Sequence, residues 1–528
     1  MKAGISTSKP IDIILVYLYD SIHMKSSPTD VLISGAGPTG LFAACQLAHL
    51  GISFRIVEKN RAFSNFSRAL AIQARTLELF DQIGIAEKTI SLGEKVKGIL
   101  LLFKNKMVFG DLENQGKETT PFPFVLILPQ DKTEKILAER LEELGGKVEW
   151  QTELISLKEN SDSISAVVSG PNGEEKITAR YIIGADGAHS AVRHNLEIEF
   201  IGDSYEHNFY LGDLHVDWKV PRGYAVLSPS PEGLNGFFPM PGESRYRVLG
   251  IIPENKTGKQ VDLGLVQNIL DENVPVSATV SDPNWLSQYK LHHRYAKSFR
   301  KGRAFLCGDA GHIHSPAGGQ GMNTGLQDAH NLTWKLALVL RNQTSPHILN
   351  SYEEERLPFA KQLVTATDRL FTLMTGQGLI SKWIRKFLLP NITPILFSIP
   401  FIKRKIFERI SQTQISYKES LLSKVFPSNL TGKRLPHVML SSGESVLKKI
   451  DNSGFHLILL ENITFDHPEL IRQGLKIHTL RPILEPGFAK AVGMNKGMIL
   501  VRPDQYVAFH SEKISISELG EYFSAINV

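Results

Sequence analysis

Three short runs of this chain pair glycine with a carboxylate in a way that suits the capture of a nucleotide. The first is Gly35-Ala36-Gly37-Pro38-Thr39-Gly40, with Glu58 standing 23 residues after Gly35. The second is Gly184-Ala185-Asp186-Gly187, followed by Ser190 and Arg193. The third is Gly308-Asp309, followed by Pro316, Gly318, Gly319, Gly321, Met322 and Asn323. Glycine lets backbone N–H groups approach a ligand closely. A carboxylate accepts from sugar hydroxyls, and a helix start offers partial positive charge to phosphate or to a developing anion.

Each run needs a strand before it. Asp30–Ser34 reads as a buried parallel strand, and a helix over about Thr39–Leu50 buries Leu41, Ala44, Leu47 and Ala48 before Gly51 ends it. Ser53–Glu58 is a second strand that ends on an acid. That is the context a dinucleotide-binding βαβ unit requires. Gly35 makes the tight turn, Gly37 admits the pyrophosphate and Gly40 lets the helix pack. Glu58 fits a ribose 2′-hydroxyl, which does not by itself separate one dinucleotide from another. Gly146–Leu157, Ser163–Ser169 and Glu175–Ile183 read as a meander whose last strand runs into Asp186. Ala304–Cys307 is an apolar strand leading to Asp309, and the helical pattern resumes at Met322. In a doubly wound α/β sheet, ligands sit at the carboxyl ends of the strands, so three such ends imply one extended ligand. Arg68 is either a phosphate or sugar contact or a solvated loop residue. Gln130, just before an amphipathic helix over Lys132–Leu144, is either a ligand contact or a helix cap.

The remaining chain places this unit in a larger protein. At 528 residues it should hold two or three domains. A formal charge of +5 is too mild to imply nucleic acid. The two cysteines, Cys45 and Cys307, lie in separate apolar segments, which excludes a disulfide framework and fits a reducing cytoplasm. Residues 1–28 read as a disordered or extraneous lead, with Met24 an alternative start. The nucleotide domain is expected over 29–204 and 292–375. An antiparallel sheet over 205–291 is expected to wall a substrate pocket, with Phe237, Phe238 and Met240 suited to an apolar ligand. A helical connection covers 376–429. Within it, 376–410 carries seven basic residues against one acid, a net +6. A basic amphipathic stretch can lie on an anionic membrane, but the commoner arrangement, a helix pair packed on its own domain, is the expectation. A small α/β unit over 430–528 closes the chain, its last helix capped by Ser517.

Together these motifs resemble the single-component FAD-dependent aromatic hydroxylases of the para-hydroxybenzoate and phenol hydroxylase type, over roughly Thr29–Val528. Gly35–Gly40 with Glu58 looks like the family's adenosine-binding motif, Gly184–Gly187 like its DG motif, and Arg303–Gly325 like its GD motif. Arg68, Gln130 and the pair Tyr352 and Arg356 also match. One departure is Gly311, where the family usually has alanine. The resemblance implies a Rossmann-like FAD-binding domain with an inserted substrate sheet. It also implies a thioredoxin-like carboxy-terminal domain, here without cysteines. The cofactor would be held by Gly35, Gly37, Gly40, Glu58, Arg68, Gln130, Asp186, Gly308, Asp309, Pro316, Gly319, Gly321, Met322 and Asn323. The implied reaction consumes NAD(P)H and O2 and hydroxylates a phenolic or other electron-rich ring through a flavin C4a-hydroperoxide. It needs no metal. Asp186 and Arg193 would lie near the path of the pyridine nucleotide. Another flavoprotein class on the same scaffold, such as an antibiotic- or polyketide-modifying oxygenase, a halogenase or a reductase, is the alternative. No substrate-activating residue is assigned; Tyr224, Tyr246 and His215 are candidates by location alone. The substrate, the choice between NADH and NADPH, and dimerisation stay open.

Overall fold

The computed structural model describes residues 26–64, 69–230, 233–315, 318–376, 378–461 and 475–526, so Arg68 and Pro316 lie outside the described residues. The first strand, Ser26–Ser34, begins inside the segment expected to be a lead. Its residues Ser26–Thr29 pair in parallel with Lys176–Ala179.

An eight-stranded sheet forms the nucleotide side. Its main path runs Arg300–Lys301, Ala304–Leu306, Gly173–Gly184, Ser26–Ser34, Phe54–Glu58 and Val148–Trp150. The strands Glu153–Glu159 and Ile164–Gly170 fold back antiparallel beside Gly173–Gly184. Val31, Leu32 and Ile33 are fully buried, as are Ile182 and Ile183, so these parallel strands are covered on both faces. The helix Pro38–His49 packs on one face and contacts the long helix Gly321–Leu340. The latter is buried nearly all round.

A second eight-stranded sheet carries the expected substrate wall. The strands Phe200–Trp218, Tyr224–Ser230, Gly233–Pro239, Arg245–Ile251 and Ala278–Ala296 supply most of it. The sheet reaches beyond 205–291, however. The hairpin Gly98–Phe103 and Lys106–Asp111 extends its edge through a parallel pairing of Tyr224–Leu227 with Gly98–Leu101. His312–Ile313 closes the other edge against Arg294–Tyr295. A helix, Leu263–Asn273, covers one face, its Asp262 side chain accepting from the Leu265 N–H. Sheet alternation sorts the aromatic residues. Phe237 is fully buried under this helix-covered face, with its ring centroid 4.4 Å from that of Trp218, while Phe238 points the other way.

The carboxy-terminal unit has a four-stranded mixed sheet, ordered Lys476–Thr479, His456–Leu459, Met498–Val501 and Val507–Ser511. Its last helix, Ile516–Ala525, is capped by Ser515 rather than Ser517. A buried ionic cluster joins it to the nucleotide side. The Arg502 guanidinium donates to both Glu355 oxygens at 2.6 and 2.9 Å, and Lys335 donates to the same carboxylate at 2.8 Å. Arg502, Glu355 and Lys335 have no exposed side-chain surface. Against the pull of burial, Arg502 and Lys335 hold the Glu355 carboxyl well below its ordinary range. Arg75 reaches the Asp504 carbonyl at 2.8 Å and the Gln505 amide oxygen at 2.6 Å, and Arg434 reaches Glu78 at 3.0 Å.

Candidate active site

Three strand ends meet side by side. Ser34 is in register with Gly184, and Gly184 with Leu306. The bonds Gly35 N–H to Val57 O, Ala185 N–H to Ser34 O and Cys307 N–H to Gly184 O, at 2.8, 2.8 and 2.9 Å, continue the sheet into the three loops. The three glycine–carboxylate runs of the sequence therefore converge on one edge. They line a single cavity of about 2460 Å³, together with the inner face of the second sheet.

The glycines are demanded by the backbone. Gly35 has φ +101°, and a Cβ there would stand 2.4 Å from the Ala185 carbonyl oxygen. A Cβ on Gly40 would stand 1.9 Å from the Gly35 oxygen. Gly37 differs, since beyond its immediate chain neighbours no described atom lies within 4 Å of its ideal Cβ position. The space in front of it is open, where a diphosphate would meet the start of helix Pro38–His49. Gly308 and Gly319 have φ near +61°, and added methyl groups would strike Thr39 and Ala71.

The carboxylates occupy distinct environments. Glu58 accepts from the Ala36 N–H at 2.8 Å and from the Asn60 N–H and amide at 3.0 and 2.6 Å. A carboxylate has about four acceptor positions, so one is left toward the cavity. Asp186 accepts from the Ser34 hydroxyl at 3.3 Å and the Val192 N–H at 3.1 Å through Oδ2. Its Oδ1 is shielded from water and has no hydrogen-bond partner among the described residues, and burial pushes the carboxyl upward. A shielded acceptor without a donor is the position a ligand hydroxyl would satisfy. Asp309 is exposed into the cavity.

Two expected contacts acquire different roles. Asn323 is fully buried, and its amide is spent on protein. It donates to the Ala71 and Gly319 carbonyls at 2.8 Å and accepts from the Gln73 N–H at 2.9 Å and the Thr76 hydroxyl at 2.7 Å. It can offer a ligand only its backbone N–H. With Gly321 and Met322 it precedes the helix bond from Thr324 N–H to Gln320 O. Gln130 is the first residue of the helix Gln130–Glu143, not the residue before it. It lines the cavity, its carbonyl accepting from the Ala69 N–H at 2.9 Å and its amide donating to Glu134 at 2.8 Å.

Among the residues that organise the loops, Asp328 escapes sequence reasoning, whereas Tyr352, Arg356 and Arg193 are the ones its motifs singled out. Asp328 is wholly buried in the long helix and accepts from the Gly308 N–H at 3.0 Å and the Arg356 guanidinium at 2.6 Å, with His312 Nε2 2.7 Å away. Against burial, Arg356 and His312 hold its carboxyl below the usual value. This one side chain fixes the loop that presents Asp309. Tyr352 donates to the Leu306 carbonyl at 2.6 Å in the strand before it. Arg193 is buried, with its guanidinium donating to the Ala310 and Ala188 carbonyls at 2.9 and 2.8 Å. It clamps the second loop to the third.

On the substrate side, Asp213 lies in register with Arg247 on one neighbouring strand and Trp285 on the other. Arg247 donates to both Asp213 oxygens at 2.7 and 2.8 Å, and the Trp285 indole N–H donates to Oδ2 at 3.0 Å. Arg247 and Trp285 face the cavity beside Leu211, Leu227, Phe238 and Tyr289. The signal available in sequence was a charge at the centre of an apolar strand on both sides, Asp213 in YLGDLHV and Arg247 in RYRVLGI. Tyr224, Tyr246 and His215 stand outside the cavity wall; Tyr224 donates to Asp111 at 2.7 Å, and Tyr246 is packed against Trp218. His314 does face the cavity. Its Nδ1 lies 2.8 Å from the Ser315 carbonyl, and Nε2 has no partner among the described residues. Burial, with His312 nearby, lowers the imidazole to about 4, so the ring is neutral near pH 7.

Residues 28–367 match the family described as the FAD binding domain. An uncharacterized aromatic compound monooxygenase of Bacillus subtilis, YhjG, is 33% identical over 91% of this chain and 94% of its own. The chain belongs to this family of FAD-dependent aromatic monooxygenases. The 6-methylpretetramide 4-monooxygenase of Streptomyces rimosus is 30% identical over 94% of this chain and 93% of its own. Among solved structures, the OxyS anhydrotetracycline hydroxylase from Streptomyces rimosus superposes with a TM-score of 0.78. It is 28% identical and covers 95% of this chain and 99% of that one. FAD is therefore the cofactor of this chain.

Proposed function

We propose that this flavoprotein hydroxylates an electron-rich aromatic compound larger than a single phenol ring, drawing electrons from NADH or NADPH and one oxygen atom from O2. The observation that carries the size class is the cavity of about 2460 Å³, continuous from Gly37 to the apolar sheet face. Ligand cavities more commonly measure about 300–1,000 Å³, so this one has room for FAD and a fused-ring substrate together. The tetracycline-type substrates named for relatives in Streptomyces rimosus support the same class.

In this reading the first loop and Glu58 hold the adenosine and diphosphate, and Asp186 and Asp309 hold hydroxyls of the ribityl chain. The start of the helix Gly321–Leu340 faces the ring system, where its N–H groups and helix dipole favour negative charge. Bound FAD supplies the redox chemistry, taking a hydride from the nicotinamide and activating O2. The chain's own residues position and shield. Leu211, Leu227, Phe238 and Tyr289 keep water from the substrate side. Arg247 and Trp285 wall the substrate side, with Asp213 and the Ala69 carbonyl holding the guanidinium fork in place. The neutral His314 can accept a hydrogen bond from a substrate hydroxyl. Two thiols that are both buried and unbonded, Cys45 and Cys307, favour a reducing compartment such as the cytoplasm.

The test is a panel of phenols, naphthols and fused-ring polyketides offered to the FAD-loaded protein with NADH and NADPH. Fused-ring compounds should stimulate nucleotide oxidation and gain one oxygen atom by mass. Equal turnover of simple phenol alone would overturn the size assignment. A halogenated or doubly hydrogenated product would overturn the reaction class.

A further inference from the structure

We propose that the outer face of residues 379–410 docks on an anionic phospholipid bilayer and sets the mouth of the cavity against it. Four short helical segments make this face: Leu379–Trp383, Ile384–Leu388, Leu389–Ser398 and Pro400–Ile410. The expectation from sequence was a helix pair whose apolar side is buried on its own domain. Instead many of its apolar side chains point outward. Leu379 is 87% exposed, Ile380 76%, Phe401 67%, Ile395 61% and Trp383 55%. Phe387, Ile392 and Ile399 in the same segment are also exposed. A water-soluble chain rarely leaves so many large apolar groups together in solvent.

The segment is nonetheless fixed to the protein from its inner side. Arg385 is buried and donates to the carbonyls of Ser230, Leu373 and Gly376 at 2.9, 3.0 and 2.9 Å. Phe397 fills the space above Gly110, and Phe407 that above Gly116. The outward face is therefore a held surface.

Charge selects the occupant. Lys382, Lys386, Lys403 and Arg409 have no ion pair among the described residues. The segment's one carboxylate, Glu408, is buried and already engaged by Arg404 and Lys405 at 2.9 and 3.0 Å. An apolar face rimmed by unpaired cations fits anionic headgroups over acyl chains. A second copy placed symmetrically on it would bring cation against cation. No helix among the described residues is long and apolar enough to cross a membrane, so the segments would lie in the interface plane.

The position has a consequence for substrate entry. Lys405 and Arg409 are exposed and also line the cavity, with Ile406, Phe407 and Ile410 between and beyond them. The same end of the segment touches the cofactor loop, where the Gln412 side-chain amide donates to the Gln320 Oε1 at 2.6 Å. An apolar aromatic compound dissolved in the bilayer would enter directly from it.

The experiment uses the FAD-loaded protein and large unilamellar vesicles of phosphatidylcholine, with or without phosphatidylglycerol. Sedimentation should carry the protein down with the anionic vesicles, and added salt should release it. Trp383 should shift its fluorescence to the blue, and Trp383→Phe should remove that shift. Leu379→Glu combined with Ile380→Glu, and separately Lys382→Glu combined with Lys386→Glu, should each weaken vesicle binding at least about tenfold. Flavin content and NADH oxidation in solution should be unchanged, which separates this inference from the oxygenase reading. Absence of wild-type binding to anionic vesicles overturns the proposal. So does a dimer in sedimentation velocity that Leu379→Glu dissolves while vesicle binding is nil.

Discussion

Gly37→Ala separates a cofactor-binding loop from an ordinary turn. The backbone at Gly37 has φ −72° and ψ −178°, which alanine adopts without strain. Beyond Gly37 and its immediate chain neighbours, no described atom lies within 4 Å of the new methyl group. The apoprotein should therefore melt within about 1–2 °C of wild type, as surface substitutions without new contacts do. The methyl group projects into the space where the diphosphate would approach the N–H groups of the helix start. Losing one or two charge-assisted hydrogen bonds there costs about 1.5–3 kcal/mol each. That corresponds to FAD affinity lower by about tenfold to about ten-thousandfold. The assay is quenching of flavin fluorescence on titration of apoprotein, beside thermal melts of the same samples. Gly40→Ala is the control. Its methyl group would meet the Gly35 oxygen at 1.9 Å, so it should destabilise the apoprotein as well. An unchanged FAD affinity for Gly37→Ala would refute the placement of the diphosphate.

Other perturbations should fall on different links of the account. Burial raises Glu134 from 4.5 to about 7, so the folded state favours the protonated acid. Its stability contribution is full below the unfolded value and is lost as pH rises through about 7. Glu134→Gln should match wild type at pH 4 and exceed it by up to about 3 kcal/mol at pH 8 in urea denaturation. Phe237→Ala should cost about 3–5 kcal/mol by opening the second core, whereas Phe238→Ala, on the cavity face, should raise KM with only a small shift in Tm. Arg502→Met leaves Glu355 and Asp504 facing each other without their guanidinium and should cost about 3–5 kcal/mol, read by denaturation of the whole chain.

The nucleotide side was legible because its signals are local. A turn at φ +101° with a carbonyl 2.4 Å from the missing Cβ admits little but glycine, and such positions sit at short fixed spacings. The convergence of Asp186 with Gly35 also followed, because the carboxyl ends of parallel strands share one edge of their sheet. What escaped depends on pairings across long separations. The edge hairpin Gly98–Asp111 joins a sheet more than a hundred residues downstream, and its apolar alternation is the same whichever sheet it extends. Asp213, Arg247 and Trp285 meet only through strand register. Asn323 has the right type and position for a ligand, yet its amide is consumed by loop Ala71–Thr76 and Gly319. The 379–410 face misled for a related reason. Helical periodicity identifies an apolar side, but it does not say what, if anything, that side packs against.

The most direct test of the central claim follows isotopically labelled oxygen. Protein reconstituted with FAD would be given NADPH or NADH, a fused-ring phenolic substrate and labelled O2, and the product analysed by mass. One labelled oxygen atom in the ring product, absent for Gly37→Ala at low FAD and restored at high FAD, is the expected result. Nucleotide oxidation that yields only hydrogen peroxide across the whole aromatic panel would contradict it.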